Sequence, residues 1–112
     1  MKYSVVITKQ ENIDLRGIYE YICFTLLSPE NAASQMDRLE KSIYDLDTMP
    51  FRFREYEYEP WKSRGMHIMP VDNYVVAYIP NESTGVVTII RVLYGGSDVK
   101  EHLSNHTDLN KE

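Results

Sequence analysis

Between Met66 and Tyr94 the chain packs its highest density of β-branched and aromatic residues: Met66 to Pro70, Tyr74 to Pro80 and Val86 to Tyr94. Val, Ile, Thr and Tyr fit a pleated, half-buried surface better than a helix. Two polar clusters interrupt the run, Asp72-Asn73 and Asn81 to Gly85. Both hold residues that tolerate turn geometry. The stretch therefore predicts a three-stranded antiparallel meander over about 65–70, 74–80 and 86–94. The last strand is apolar on both faces except at Arg91, the pattern of a central strand covered on at least one face. Gly95-Gly96 ends it.

The N-terminal half reads differently. Tyr3, Val5 and Ile7 alternate with their neighbours and predict a first strand over 2–8. Thr8 to Glu11 has the spacing of a capping box, in which the hydroxyl and the carboxylate each satisfy an orphan amide. Leu15, Ile18, Ile22 and Leu26 follow as a helical stripe. Gly17 weakens that helix by about 1 kcal/mol relative to alanine, and close packing against a neighbour would explain it. Ser28-Pro29 opens a second helix, whose seam is Ala32, Met36, Leu39, Ile43 and Leu46 and whose end is set by Met49-Pro50. The connection between the two helices is short, so they form an αα-hairpin.

Phe51 to Lys62 changes parity between its phenylalanines and its tyrosines, so it is read as an extended connection with a bulge or turn near Arg54-Glu55. Asp98 to Glu101 again has a capping spacing, and a short helix is expected through Leu103. Beyond Ser104 the chain is polar and expected to fray. The fold class is α+β: N-terminal strand, αα-hairpin, three-stranded antiparallel meander, short C-terminal helix. One domain, 1–104, is followed by a polar tail, 105–112. The two helices are expected to cover one face of the sheet and leave the other partly open to a partner.

Composition narrows the chemistry. The net charge of −5 argues against a protein that coats nucleic acid by charge alone. A single cysteine, Cys23, forms no internal disulfide and reads as a small buried hydrophobe on the first helix. Three scattered histidines give no metal-binding pattern, and no cofactor or small-molecule motif is present. No window approaches a membrane span and no signal peptide opens the chain, so the expected location is the cytoplasm.

Three stretches carry a resemblance: Asp14 to Ile22, Arg64 to Tyr74 together with Tyr78, and Ile90 to Asp98. Their order and spacing resemble the RelE/ParE superfamily, the toxins of type II toxin–antitoxin pairs, over roughly residues 1 to 103. The resemblance implies growth arrest restrained by a cognate antitoxin protein. It carries over Arg64, Arg91 and Tyr94 as candidate catalytic residues, and Arg54, Lys62, His67 and Ser97 as candidate contacts to the target. Ser97 departs from the family, standing where ParE-like members usually carry an arginine.

Three functions are compatible with that resemblance. A ParE-like toxin poisons DNA gyrase by binding. A RelE-like toxin cleaves messenger RNA on the ribosome, where a 2′-hydroxyl attacks the adjacent phosphate; Arg64 and Arg91 would hold the phosphate and Tyr94 or His67 would move protons. An inactive relative would only bind a partner, and Ser97 motivates that reading. The acidic charge favours the first. Structural roles compete at each position. Arg91 could pair with Glu55, Glu57 or Glu59, Tyr94 could pack at the strand end, and His67 is expected on the exposed parity of its strand. Tyr74 and Tyr78 are read as core or sheet-surface aromatics, and the three glutamates as a solvated edge.

Overall fold

In the computed structural model, residues 2–96 and 99–106 are described. Strand β1 spans Ser4–Ile7, helix α1 Lys9–Glu20 and helix α2 Pro29–Tyr44. Strands β2 (His67–Val71), β3 (Tyr74–Asn81) and β4 (Val86–Tyr94) come next, then helix α3 (Val99–His106). The meander and the αα-hairpin stand as expected. The strand order is β1-β4-β3-β2, with β1 parallel to β4 and the rest antiparallel. The hairpin carries the chain from β1 to β2 at the opposite edge, and the meander then brings β4 back beside β1, the long connection that two parallel neighbours require.

The sheet's bulge lies in β4, not near Arg54-Glu55. Ala77 pairs with Arg91 and Tyr78 with Ile89, so Ile90 has no opposite residue. The extra residue shifts side-chain parity. Val87 and Ile89 face the helices before the bulge, and Val92 faces them after it. Ile90 and Leu93 face the other way. Strand β4 reads as apolar on both faces because each face is buried in a core of its own.

The helix-side core joins Leu39, Ile43 and Leu46 to Val76, Tyr78 and Ile89, with Leu15 and Ile18 of α1 packed against it. The second face is not open. Tyr56, Trp61 and Met66 from the 54–66 segment, and Leu103 from α3, bury Ile68, Ala77, Ile90 and Leu93. The chain's own side chains occupy the surface that was expected to receive a partner. Segment 54–56 also covers the outer edge of β2, through Tyr56 N–H to Met66 O at 2.8 Å and Ile68 N–H to Arg54 O at 3.0 Å. A sheet edge otherwise open to pairing is blocked from within.

Several local expectations shift. The apolar stripe of α1 ends early because Tyr21–Thr25 forms a π-helical turn, with Leu26 N–H donating to Tyr21 O. That wider turn rotates the residues after it, and Leu26 is exposed instead of buried. Gly17 packs against no neighbour, since a Cβ built there would meet nothing within 4 Å. The capping box forms only in part: the Thr8 hydroxyl accepts from Glu11 N–H at 3.1 Å, while Glu11 Oε1 lies buried without a partner among the described residues. Ser28 makes no side-chain cap bond. Cys23 is half-buried. Glu55, Glu57 and Glu59 are solvent-exposed, as read. Helix α3 runs on to His106, past the expected fraying point, and the remaining tail lies outside the described residues.

The Trp61 ring is 4 % exposed and closes the second face. Trp61→Ala should lower stability by about 3–5 kcal/mol in urea denaturation. An unchanged midpoint would mean that the 54–66 segment does not hold that face shut.

Candidate functional site

Arg91 emerges from the bulge of β4 and Asp14 from the middle of α1. Both side chains are only 7 % exposed. The pair is bidentate: Arg91 Nε donates to Asp14 Oδ2 at 2.7 Å and Nη2 to Oδ1 at 2.9 Å. Val92 N–H adds a third bond to Oδ2 at 2.9 Å, and Arg91 Nη1 reaches the His102 carbonyl of α3 at 3.4 Å. The competing ion pair foreseen for Arg91 exists, but with Asp14 rather than Glu55, Glu57 or Glu59. Buried and neutralised, this guanidinium ties α1, β4 and α3 together and is not presented to a phosphate.

The other candidates are dispersed. Arg64 lies over the Trp61 ring at 5.3 Å. Arg54 is exposed and sits 3.9 Å from Glu57. Lys62 is exposed. His67 is 4 % exposed, contrary to the parity argument, because the 50–56 segment folds over β2. Its Nδ1 lies 2.9 Å from Phe53 O, and its ring stacks on Tyr78 with centroids 5.7 Å apart. Tyr78 is fully buried and donates its hydroxyl to Pro50 O at 2.6 Å; burial pushes that phenol up to about 12. Ser97 lies outside the described residues.

Tyr94 is 55 % exposed rather than packed away. It lines a groove of about 670 Å³ where the end of β4 and the start of β3 meet the end of α1. Asp14, Gly17, Ile18, Tyr21 and Leu26 form one wall, and Asn73, Tyr74 and Tyr94 the other. Gly17, lacking a side chain, opens its part of the wall. Tyr74 and Tyr94 meet edge to face, with centroids 5.9 Å apart. The Tyr74 phenol is held above its ordinary range by burial, and then by the neighbouring Tyr94 and Tyr21 phenols. Three phenols therefore converge on the groove, and Tyr74 stays protonated at neutral pH.

A more polar extension of about 550 Å³ continues past Asn73, Tyr74 and Leu26 along α2. Its cation, Arg38, is engaged by Asp72 at 2.7 Å and Ser34 at 2.6 Å. Gln35 also donates to Asp72, and these bonds hold that carboxyl below its usual range. Along the groove and its extension, Leu26 and Leu27 are exposed, Leu27 at a positive φ of 53°. Neither Arg64 nor Arg91 lines the groove that contains Tyr94. Among the described residues, no group of three or more His, Cys, Asp or Glu could hold a metal ion. The site is apolar and aromatic with a hydrogen-bonding margin, suited to gripping a peptide rather than to acid–base work on a phosphate.

The model of the family described as "ParE toxin of type II toxin-antitoxin system, parDE" matches residues 5–99. This chain belongs to the ParE toxin family. No match was found among curated proteins. Solved structures share the fold at low identity. The chromosomal ParDE system of P. aeruginosa matches with a TM-score of 0.67 and 17 % identity, covering 83 % of this chain and 96 % of the other. The RelBE2 toxin–antitoxin complex of Mycobacterium tuberculosis matches at 0.61 and 20 %, covering 84 % and 99 %. A mutant E. coli RelE toxin in the free state matches at 0.60 and 14 %, covering 88 % of each chain. This ParE-family chain is thus a toxin-type component of a toxin–antitoxin system with the RelE/ParE fold, and no helix among its described residues is long and apolar enough to cross a membrane.

Sequence reasoning missed Gly17, Tyr21, Asn73 and the exposed leucines. Gly17 carried the one available signal, a helix-interior glycine that sequence reasoning puts down to close packing against a neighbour.

Asp14→Ala and Arg91→Ala should each cost about 3–5 kcal/mol, because each strands a buried charge. The double variant should lose clearly less than the sum, measured by urea denaturation as a double-mutant cycle. Strict additivity would show that the two do not act as a pair.

Proposed function

We propose that this ParE-family toxin arrests growth by binding a macromolecular target of the gyrase type, without cleaving RNA, and that a cognate antitoxin silences it through the groove lined by α1. The observation that carries the first part is the Asp14 clamp on Arg91, which removes the cation best placed by sequence to meet a phosphate. The net charge of −5 supports the same reading, since a face that cuts RNA on the ribosome needs local positive charge.

For the antitoxin, the support is the groove itself and the family. An aromatic well with exposed Leu26 in its wall and exposed Leu27 along its extension is apolar surface of the kind that marks a protein interface. The RelBE2 relative was solved as a toxin–antitoxin complex. A segment entering the groove would place apolar anchors between Tyr21, Tyr74 and Tyr94 and hydrogen-bond along Asn73, Gln35 and Arg38. In this reading both partners meet in the cytoplasm, the location expected from the sequence. No second ligand or cofactor enters this reading.

Induced without its antitoxin, the chain should stop growth while transcripts stay intact and the chromosome is damaged. Cuts within codons on mapped transcripts would establish the ribosome-dependent nuclease instead, and normal growth the inactive relative. Gly17→Phe fills the groove at a position where an added Cβ meets nothing within 4 Å. It should weaken antitoxin binding by about 100-fold, roughly 3 kcal/mol, with little change in unfolding midpoint. Unaltered affinity in calorimetry would move the antitoxin site elsewhere.

A further inference from the structure

Glu11 lies in the first turn of α1 and is 1 % exposed. Its Oε1 has no hydrogen-bond partner among the described residues. Beside it is a cavity of about 40 Å³, lined by Ile7 of β1, by Asn12 and Leu15 of α1, and by Glu40, Ile43 and Tyr44 of α2. The charged groups acting on Glu11 are Asp14 from its own helix and Glu40 from α2, both acidic. Tyr44 is the remaining titratable group at the cavity, and β1 contributes only an apolar side chain there. The nearby cation on the sheet, Arg91 of β4, is bonded in bidentate fashion to Asp14. Among the described residues, no basic side chain lines the cavity.

An ionised carboxylate at this place would be buried among like charges without a counter-ion, whereas a carboxylic acid carries no charge to desolvate. We propose that Glu11 is a proton-operated latch on α1: protonated, it lets the first turn seat against α2 and β1; ionised, it drives that turn away from them. The same helix carries Asp14, Gly17 and Ile18 of the groove wall, so the latch sets how firmly that wall is held. Its action does not depend on what occupies the groove.

The direction is set by the proton count. Burial first, then Asp14 and Glu40, push the folded carboxyl from 4.5 up to about 7. The folded chain keeps a proton that the unfolded chain releases near 4.5. The stabilisation is complete below pH 4.5, shrinks as pH climbs, and is gone once pH passes about 7. Each pH unit inside that window changes the folding constant roughly tenfold, so the whole window amounts to roughly 300-fold.

The test compares the full chain with Glu11→Gln, a neutral isostere, in urea denaturation from pH 4.5 to 8. The ratio of wild-type to variant folding constants should fall by roughly 300-fold across the range and level off above pH 7. Parallel profiles would overturn the latch. A ¹³C NMR titration of the wild-type Glu11 carboxyl gives an independent reading should the variant fold poorly. A midpoint near 7 supports the latch, and a midpoint near 4.5 overturns it.

Discussion

The Asp14–Arg91 pair is the joint on which this structure turns. One carboxylate accepts from two guanidinium nitrogens and from the Val92 amide, so α1 is bolted to β4 at the bulge. The guanidinium reaches on to the His102 carbonyl, which brings α3 into the same joint. Neither charge is tolerable alone at this depth, and each is the other's condition for being buried. Without the bulge, the parity of β4 would not place Ile90 and Leu93 over the second core while Val87, Ile89 and Val92 serve the first. The shift in register and the ion pair belong to one arrangement.

Its functional consequence is a division of labour between surfaces. The sheet face away from the hairpin is filled by Trp61, Tyr56, Met66 and Leu103 and has no room for a partner. Accessible apolar surface lies instead at the turn between the two helices, where the π-helical segment leaves Leu26 and Leu27 exposed near Tyr21, Tyr74 and Tyr94. Cations that the family resemblance would assign to RNA chemistry are engaged elsewhere: Arg91 on Asp14, Arg64 on the Trp61 ring. The groove that contains Tyr94 is lined by aromatic, aliphatic and amide groups, with no cation among its described residues.

The candidate site was much less legible than the fold. Arg91, Tyr94 and Arg64 share motifs in sequence, yet one is buried in an ion pair, one borders the groove and one stacks on an indole. The partner of Arg91 lies 77 positions away, a separation that no local pattern reports. His67 was assigned to solvent by strand parity alone. Its burial comes from Phe51 and Phe53, on a segment whose irregular parity gives no hint of where it folds back.

Sequence alone determined the elements and their order. Periodicities of two and of about 3.6, punctuated by Pro29, Pro50, Asp72-Asn73 and Gly85, arise from backbone sterics and from the need to bury one face of each element, and these act over a few residues. Tertiary structure alone decided that β1 pairs with β4, that the second face closes on itself, and that the accessible groove forms at the π-helical turn. Those outcomes depend on which charges and rings meet across tens of positions. Burial and pairing energies exist only once distant groups share a place, and a pattern along the chain does not contain them.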